Sequence, residues 1–227
     1  MIEARLAWLR DEPGLPLETW VEQLDEAEHA EFRRLSHPSR QRDYLLSRRL
    51  LRDVLSSVPS LTGSPPQFAR APSGRLLLAT PSDWHISLSH GHGYIAVMAA
   101  TAVCGVDIEV PRAVAYQRVA ARYFAPSERA HLAALPPDLA RRDFFRLWTL
   151  KEAGVKALGQ GLAHNLERLA FALDLPAPTP ADDSLGLRVW QTPADFAWLS
   201  AAVVTNDDVR WTCNEVDLAT LLRNSDA

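Results

Sequence analysis

The spacing of apolar and polar positions changes several times along the chain. Residues 17–35 and 39–57 repeat apolar positions every three or four residues, and in the second stretch Tyr44, Leu45, Leu51, Val54 and Leu55 share one face. That spacing predicts two helices, the second ended by the turn formers of "SSVPSLTGSPP". A short strand is predicted in "SGRLLLAT", followed by strands in "WHISLSH" (84–90), "YIAVMAA" (94–100) and "VCGVDIEV" (103–110). Gly91, His92 and Gly93 join the first two of these three as a hairpin. Helical spacing returns at 114–123, 126–134 and 139–158. From about residue 166, "LAFALDL", "LRVWQT" and "FAWLSAAVV" predict strands, "EVDLATLLRN" a terminal helix and "LPAPTPADDS" a surface loop. Helices and strands mix without strict β-α-β alternation, so the predicted class is α+β.

A chain of 227 residues with 47% apolar content and seven tryptophans can bury a sizeable core as one unit or two associated subdomains. No apolar run approaches the roughly 20 residues of a membrane span. The opening "MIEARLAWLRDEPG" carries acids where a signal peptide carries basic charge, so a cytoplasmic protein is expected. Cys104 and Cys213 are too few for a disulfide framework or a cysteine-rich zinc site, and two reduced thiols are expected. A formal charge of -4 argues against general nucleic-acid binding. Residues 33–52 nevertheless hold seven arginines against one acid, Asp43. A solvated helix face would account for them, and so would an anionic ligand.

Three stretches carry candidate chemistry. In "GVDIEV", Asp107 and Glu109 share one strand face, with Cα atoms about 7 Å apart at a rise of ~3.3 Å per residue. That pair suits either a shared hard cation or the wet face of a half-buried strand. In "ISLSHGHG", Ser89 and His90 end a strand at a glycine turn, where the backbone is open to a ligand. A solvated turn histidine is the plainer reading, and His90 with His92 lacks the further ligands a zinc site needs. The stretch is neither "SxxK" nor "GxSxG", so a serine nucleophile has no motif support. In "RLWTLKEAGVKALGQG", Phe144, Trp148, Lys151, Val155 and Leu158 form a core-facing helical stripe that Lys151 interrupts. Glu152 and Lys156 are neighbours one turn apart. Lys151 and Lys156 are the only lysines among 24 basic residues. Either Lys151 snorkels to water, or a compact ammonium reaches a crowded anion that an arginine fork does not fit.

Taken in order and spacing, "SLSH", "GVDIEV" and "LWTLKEAGVKALGQGL" resemble the three motifs of 4'-phosphopantetheinyl transferases, in particular the larger monomeric type that activates peptide and polyketide synthases. The resemblance spans roughly residues 40–165. It implies two similar α+β subdomains related by a pseudo-twofold, divided here into 1–103 and 104–227, with the active site in the cleft between them. It further implies transfer of the phosphopantetheine arm of coenzyme A to a carrier-protein serine, with Mg²⁺ (or Mn²⁺) as cofactor and 3',5'-ADP released.

By the same resemblance Asp107, Glu109 and Glu152 would hold the metal, with Asp107 and Glu152 also catalytic. Glu152 is the candidate base, and Lys156 would stabilise the leaving phosphate. Lys151 would contact the same phosphates or orient the carboxylates. His90 with Ser89, Arg42 and Arg75 would bind the 3'-phosphate end of the nucleotide. Arg75 stands in "APSGRLLL" where the family has a Gly-Lys-Pro turn, and Arg33 or Arg34 would replace an early lysine pair. An acidic, helical carrier would dock on the segment bounded by Pro111 and Phe124, where Arg112, Arg118 and Arg122 interleave with apolar residues. Neither nucleic acid nor membrane is an expected partner. The competing readings are a catalytically silent coenzyme A or carrier-binding module and a metal-assisted phosphoesterase, with nucleic-acid binding through residues 33–52 more distant.

Overall fold

A computed structural model describes residues 1–159, 166–173 and 177–223. The elements are β1 (Ile2–Arg10), α1 (Glu18–Glu22), α2 (Glu26–Arg34), α3 (Pro38–Ser56), β2 (Phe68–Arg70), β3 (Leu76–Leu78), β4 (His85–Gly91), β5 (Tyr94–Ala100), β6 (Cys104–Glu109), α4 (Tyr116–Tyr123), α5 (Pro126–Ala133), α6 (Pro137–Leu158), β7 (Phe171–Ala172), β8 (Thr179–Pro180), β9 (Leu187–Ala194), β10 (Ala197–Val204), β11 (Val209–Glu215) and α7 (Leu218–Arg223). The α+β class is therefore observed. No described helix is long and apolar enough to cross a membrane.

Two sheets carry the fold, in strand orders β11-β1-β5-β4 and β6-β10-β9. Each half repeats one scheme: a strand (β1 or β6), a long helix (α3 or α6), then a hairpin whose second strand pairs antiparallel with the first strand. The hairpin at Gly91 to Gly93 forms as expected, with His92 and Gly93 both at positive φ, 54° and 79°.

Period-two patterning explains how the sheets stack. All seven residues of β5 are buried. Ile95, Val97 and Ala99 face the core under α3, while Tyr94, Ala96, Met98 and Ala100 face the second sheet. There they meet Val106, Ile108, Leu199, Ala201 and Val203. A third core packs α4, α5 and α6 on the outer face of the second sheet, around Phe124, Phe144, Phe145 and Leu150. The order is helix, sheet, sheet, helix.

Three expectations are corrected. The helix over 17–35 is two helices. Asp25 caps α2 by accepting from Glu28 N (2.8 Å) while Glu28 accepts from Asp25 N (3.1 Å), a reciprocal pair that starts a new helix. Residues 2–10 are a central strand, and 209–215 an edge strand parallel to it. The step from residue 103 to 104 lies between β5 of the first sheet and β6, the first strand of the second, while β11 and α7 return to the first half, with Leu218 and Leu221 in its core. The stretch "LPAPTPADDS" contains β8, paired with β7, and a 3-10 turn at Asp183–Leu185, while residues 174–176 lie outside the described residues. Cys104 and Cys213 are both free thiols.

Candidate functional site

The edges of the two sheets meet where β4 runs beside β6. Alternation along β4 turns Ser87 and Ser89 toward β6. Ser87 Oγ accepts from Val106 N (3.1 Å), and Ser89 Oγ donates to Asp107 Oδ1 (2.7 Å). The helix α6 comes down on the same strand at Gly105. A Cβ at that position would lie 2.1 Å from Ala153 O and 2.6 Å from Ala157 N. Only glycine admits the helix so close. That contact brings Lys156 Nζ within 2.8 Å of Val106 O and 2.9 Å of Asp107 Oδ1.

Asp107 is therefore held at one oxygen by two donors. Its other oxygen, Oδ2, is buried without a hydrogen-bond partner. Glu152, on the helical turn before Lys156, lines the adjoining cleft and lies close enough to feel the Asp107 charge. Burial, then the Asp107 charge, pushes its carboxyl up to about 7, with Lys156 pulling down and Glu109 adding to the rise. Glu109 is turned aside, its Oε2 2.5 Å from Arg112 Nη1. Among the described residues no three potential ligands form a ready metal cluster. Two features still fit a divalent cation: an unmet buried carboxylate oxygen and a neighbouring carboxyl raised by burial and by like charge. Asp107 and Glu152 would be the first ligands, and Glu109 would have to leave Arg112 to join them.

A cleft of about 700 Å³ opens beside these groups, between the β2–β3 turn, α3, β4 and α6. Arg40, Arg70, Arg75, His90, Glu152 and Lys156 line it, over a floor of Tyr44, Ile86 and Leu88. Arg75 donates to Cys104 O (2.8 Å) and Lys156 O (3.1 Å), so it ties the β2–β3 turn to the second half. His90 Nδ1 stands 3.3 Å from Asp43 Oδ2. Sequence reasoning missed Arg40 and Arg70. Both lie in the basic stretches around the cleft, but only the fold shows that they face it.

Three expected contacts are not where the sequence suggested. Lys151 is fully buried on the far side of α6, where Nζ donates to Leu166 O (2.8 Å) and Leu169 O (2.6 Å) and pairs with Glu128 Oε2 at 2.7 Å. All three ammonium donors are used, so it touches no phosphate. Arg42 lies outside the cleft lining. It forms a clamp with Asp11, Glu12 O and Leu15 O, which binds α3 to the end of β1. Ser89 faces Asp107 rather than the cleft.

The arginine-rich stretch is partly turned inward. Arg48, 2% exposed, pairs with Glu28 and Glu31, and Arg52 with Glu28, partners supplied by α2 rather than by local sequence. Arg33, Arg34 and Arg40 remain exposed. The motif residues Gln160, Gly161 and Leu162 lie outside the described residues.

The chain is similar to known proteins. A family model described as the 4'-phosphopantetheinyl transferase superfamily matches residues 103–213. The chain is 30% identical over 173 residues to 4'-phosphopantetheinyl transferase HetI of a Nostoc species, covering 74% of this chain and 73% of that one. It is 28% identical over 141 residues to 4'-phosphopantetheinyl transferase Sfp of Bacillus subtilis, 62% of each chain. With 4'-phosphopantetheinyl transferase AcpT of Escherichia coli it shares 37% identity over 124 residues, 54% of this chain and 60% of that one. Matches of this extent establish that the chain belongs to the 4'-phosphopantetheinyl transferase superfamily and is an enzyme of that transferase type.

Proposed function

We propose that the protein transfers the 4'-phosphopantetheine arm of coenzyme A to a serine of an apo acyl or peptidyl carrier protein, with Mg²⁺ and release of 3',5'-ADP. The observation that carries this is that Glu152 and Lys156 line a cleft together with Arg40, Arg70 and Arg75, while the buried Asp107 carboxylate lies behind them, bonded to Lys156. Arg75, His90 and Arg40 would hold the 3'-phosphate end of the nucleotide, leaving its pyrophosphate against α6. Asp107 and Glu152, with Glu109 released from Arg112, would hold Mg²⁺, which when bound neutralises charge on the pyrophosphate.

Glu152 would take the proton of the carrier serine as its oxygen attacks the β-phosphorus. Without a cation its carboxyl is pushed up to about 7 by burial and the Asp107 charge, so it would serve as a free base only while it is not itself a ligand of Mg²⁺. The bond from that phosphorus to the bridging oxygen breaks, and 3',5'-ADP leaves. Lys156 stands beside the leaving side and would meet the charge that develops there. The carrier would approach over α4, where Val114, Arg118 and Arg122 are exposed, whereas Arg112 is engaged with Glu109 and lies over the Phe145 ring. Both walls of the cleft come from one chain, which supports action as a monomer.

The test is intact-mass spectrometry of an apo carrier incubated with the protein, coenzyme A and Mg²⁺. A gain of one phosphopantetheine arm, abolished by a chelator, is the expected result. Binding of coenzyme A without modification of several unrelated carriers would instead identify a binding module, and release of inorganic phosphate a phosphoesterase.

A further inference from the structure

The serine pair on β4 has a role separate from nucleotide contact. We infer that Ser89 is a positioning residue for the cation site, and the inference rests on the proposed function above. Ser87 fixes the backbone of β6 at Val106 N, one residue before Asp107, and Ser89 fixes the Asp107 carboxylate itself. Ser89 is 8% exposed and Asp107 6%, so the bond forms where water does not compete freely.

The consequence is geometric. A free aspartate presents either oxygen by rotating about its terminal torsion, which is broad and nearly two-fold. Here Ser89 (2.7 Å) and Lys156 (2.9 Å) both donate to Oδ1. Oδ2 alone is left without a partner. Two donors, one on β4 and one on α6, thus fix which oxygen is engaged and leave Oδ2 as the one a cation would meet.

The arrangement also spans the sheet seam. Ser89 belongs to the first sheet and Asp107 to the second. The half that lines the nucleotide side thereby orients a ligand carried by the other half. Outer hydrogen bonds of this kind are worth roughly 10- to 100-fold in metal affinity.

The experiment titrates Mn²⁺ into protein saturated with coenzyme A, without carrier, following free Mn²⁺ by electron paramagnetic resonance. Coenzyme A affinity is measured separately in chelator. Ser89→Ala and the near-isosteric Ser89→Cys are expected to weaken Mn²⁺ binding roughly 10-fold with coenzyme A affinity in chelator unchanged. Ser89→Thr, which keeps the hydroxyl, restores it. Unchanged Mn²⁺ affinity in either folded variant overturns the inference, as does a loss confined to coenzyme A affinity, which would make Ser89 a nucleotide contact. If the parent protein binds coenzyme A but no Mn²⁺, the cation reading falls and this inference with it. If only the serine variants match the parent, this inference falls alone.

Discussion

Lys151 Nζ lies 2.7 Å from Glu128 Oε2, with both side chains at 0% exposure. Glu128 also accepts from Ala125 N (2.8 Å) and Phe171 N (3.0 Å), so the pair ties α5, α6 and β7 into one block. Burial pushes the Glu128 carboxyl up and the Lys151 ammonium down, and each charge opposes the other's shift. Lys151→Met should therefore destabilise the fold by about 3–5 kcal/mol, because it leaves Glu128 buried and unpaired. Denaturant unfolding measures this. Coenzyme A affinity in the folded fraction should be unchanged, and a variant with normal stability but weak binding would return Lys151 to the cleft.

Arg42 and Arg75 should separate cleanly. Removing the 3'-phosphate from coenzyme A should weaken binding to the parent. Arg75→Ala should erase most of that difference, since Arg75 lines the cleft while its bonds to Cys104 O and Lys156 O leave further donor capacity. Arg42→Ala should preserve the difference while lowering stability, because its donors hold Asp11, Glu12 and Leu15. Isothermal titration with the two ligands decides it.

The carboxylates should fail independently of the fold. Asp107→Asn and Glu152→Gln should each lower turnover by roughly 100-fold or more. Circular dichroism should stay close to the parent, and neither variant should melt earlier than it. Near-normal rates in either variant would remove it from the reaction.

The pH dependence of stability follows from Glu152. Its carboxyl moves from an ordinary 4.5 to about 7 on folding, so folding favours the neutral form. The stability it contributes is complete below the unfolded value and is lost as pH rises through the folded one. In chelator, Glu152→Gln should therefore gain on the parent in melting temperature between about pH 5 and about pH 8. Added Mg²⁺ should narrow the gap by favouring the charged form in the parent. A gap independent of pH would show that the carboxyl titrates normally.

Gly105→Ala should be far worse than an ordinary glycine-to-alanine change in a strand. Its methyl would meet Ala153 O at 2.1 Å, and backbone cannot swing aside as a side chain does. Either α6 lifts and turnover falls, or the protein melts earlier. A variant that keeps both rate and melting temperature would show that α6 does not seat on Gly105.

Much of the site was legible because its chemistry is local. Asp107 and Glu152 sit in short patterned stretches, and the hairpin at His92 announced itself through its glycines. What was not legible depended on distant partners. The lysine census singled out Lys151 correctly as unusual, yet its anion is a protein carboxylate on α5, which no spacing reveals. Arg48 and Arg52 looked like an unpaired basic surface because Glu28 and Glu31 lie on another helix. Strands β1 and β11 were missed for a related reason. Ile2, Ala4, Leu6 and Trp8 do alternate, but Ala7 and Leu9 fill the opposite face because both faces of that strand are covered.

The return of β11 to the first sheet bears on how the chain acquires its shape during synthesis. Thr212 Oγ1 donates to Ala4 O, partners 208 residues apart. One edge of β1 has no neighbour until nearly all of the intervening chain has left the ribosome. Closing so long a loop late is slow, and a bare strand edge in the meantime invites pairing with other chains. A nascent or truncated form lacking residues 205–223 would carry that open edge together with the apolar surface that Leu218 and Leu221 cover. The two halves are thus repeats in outline, but the first is complete only when the end of the chain returns to it.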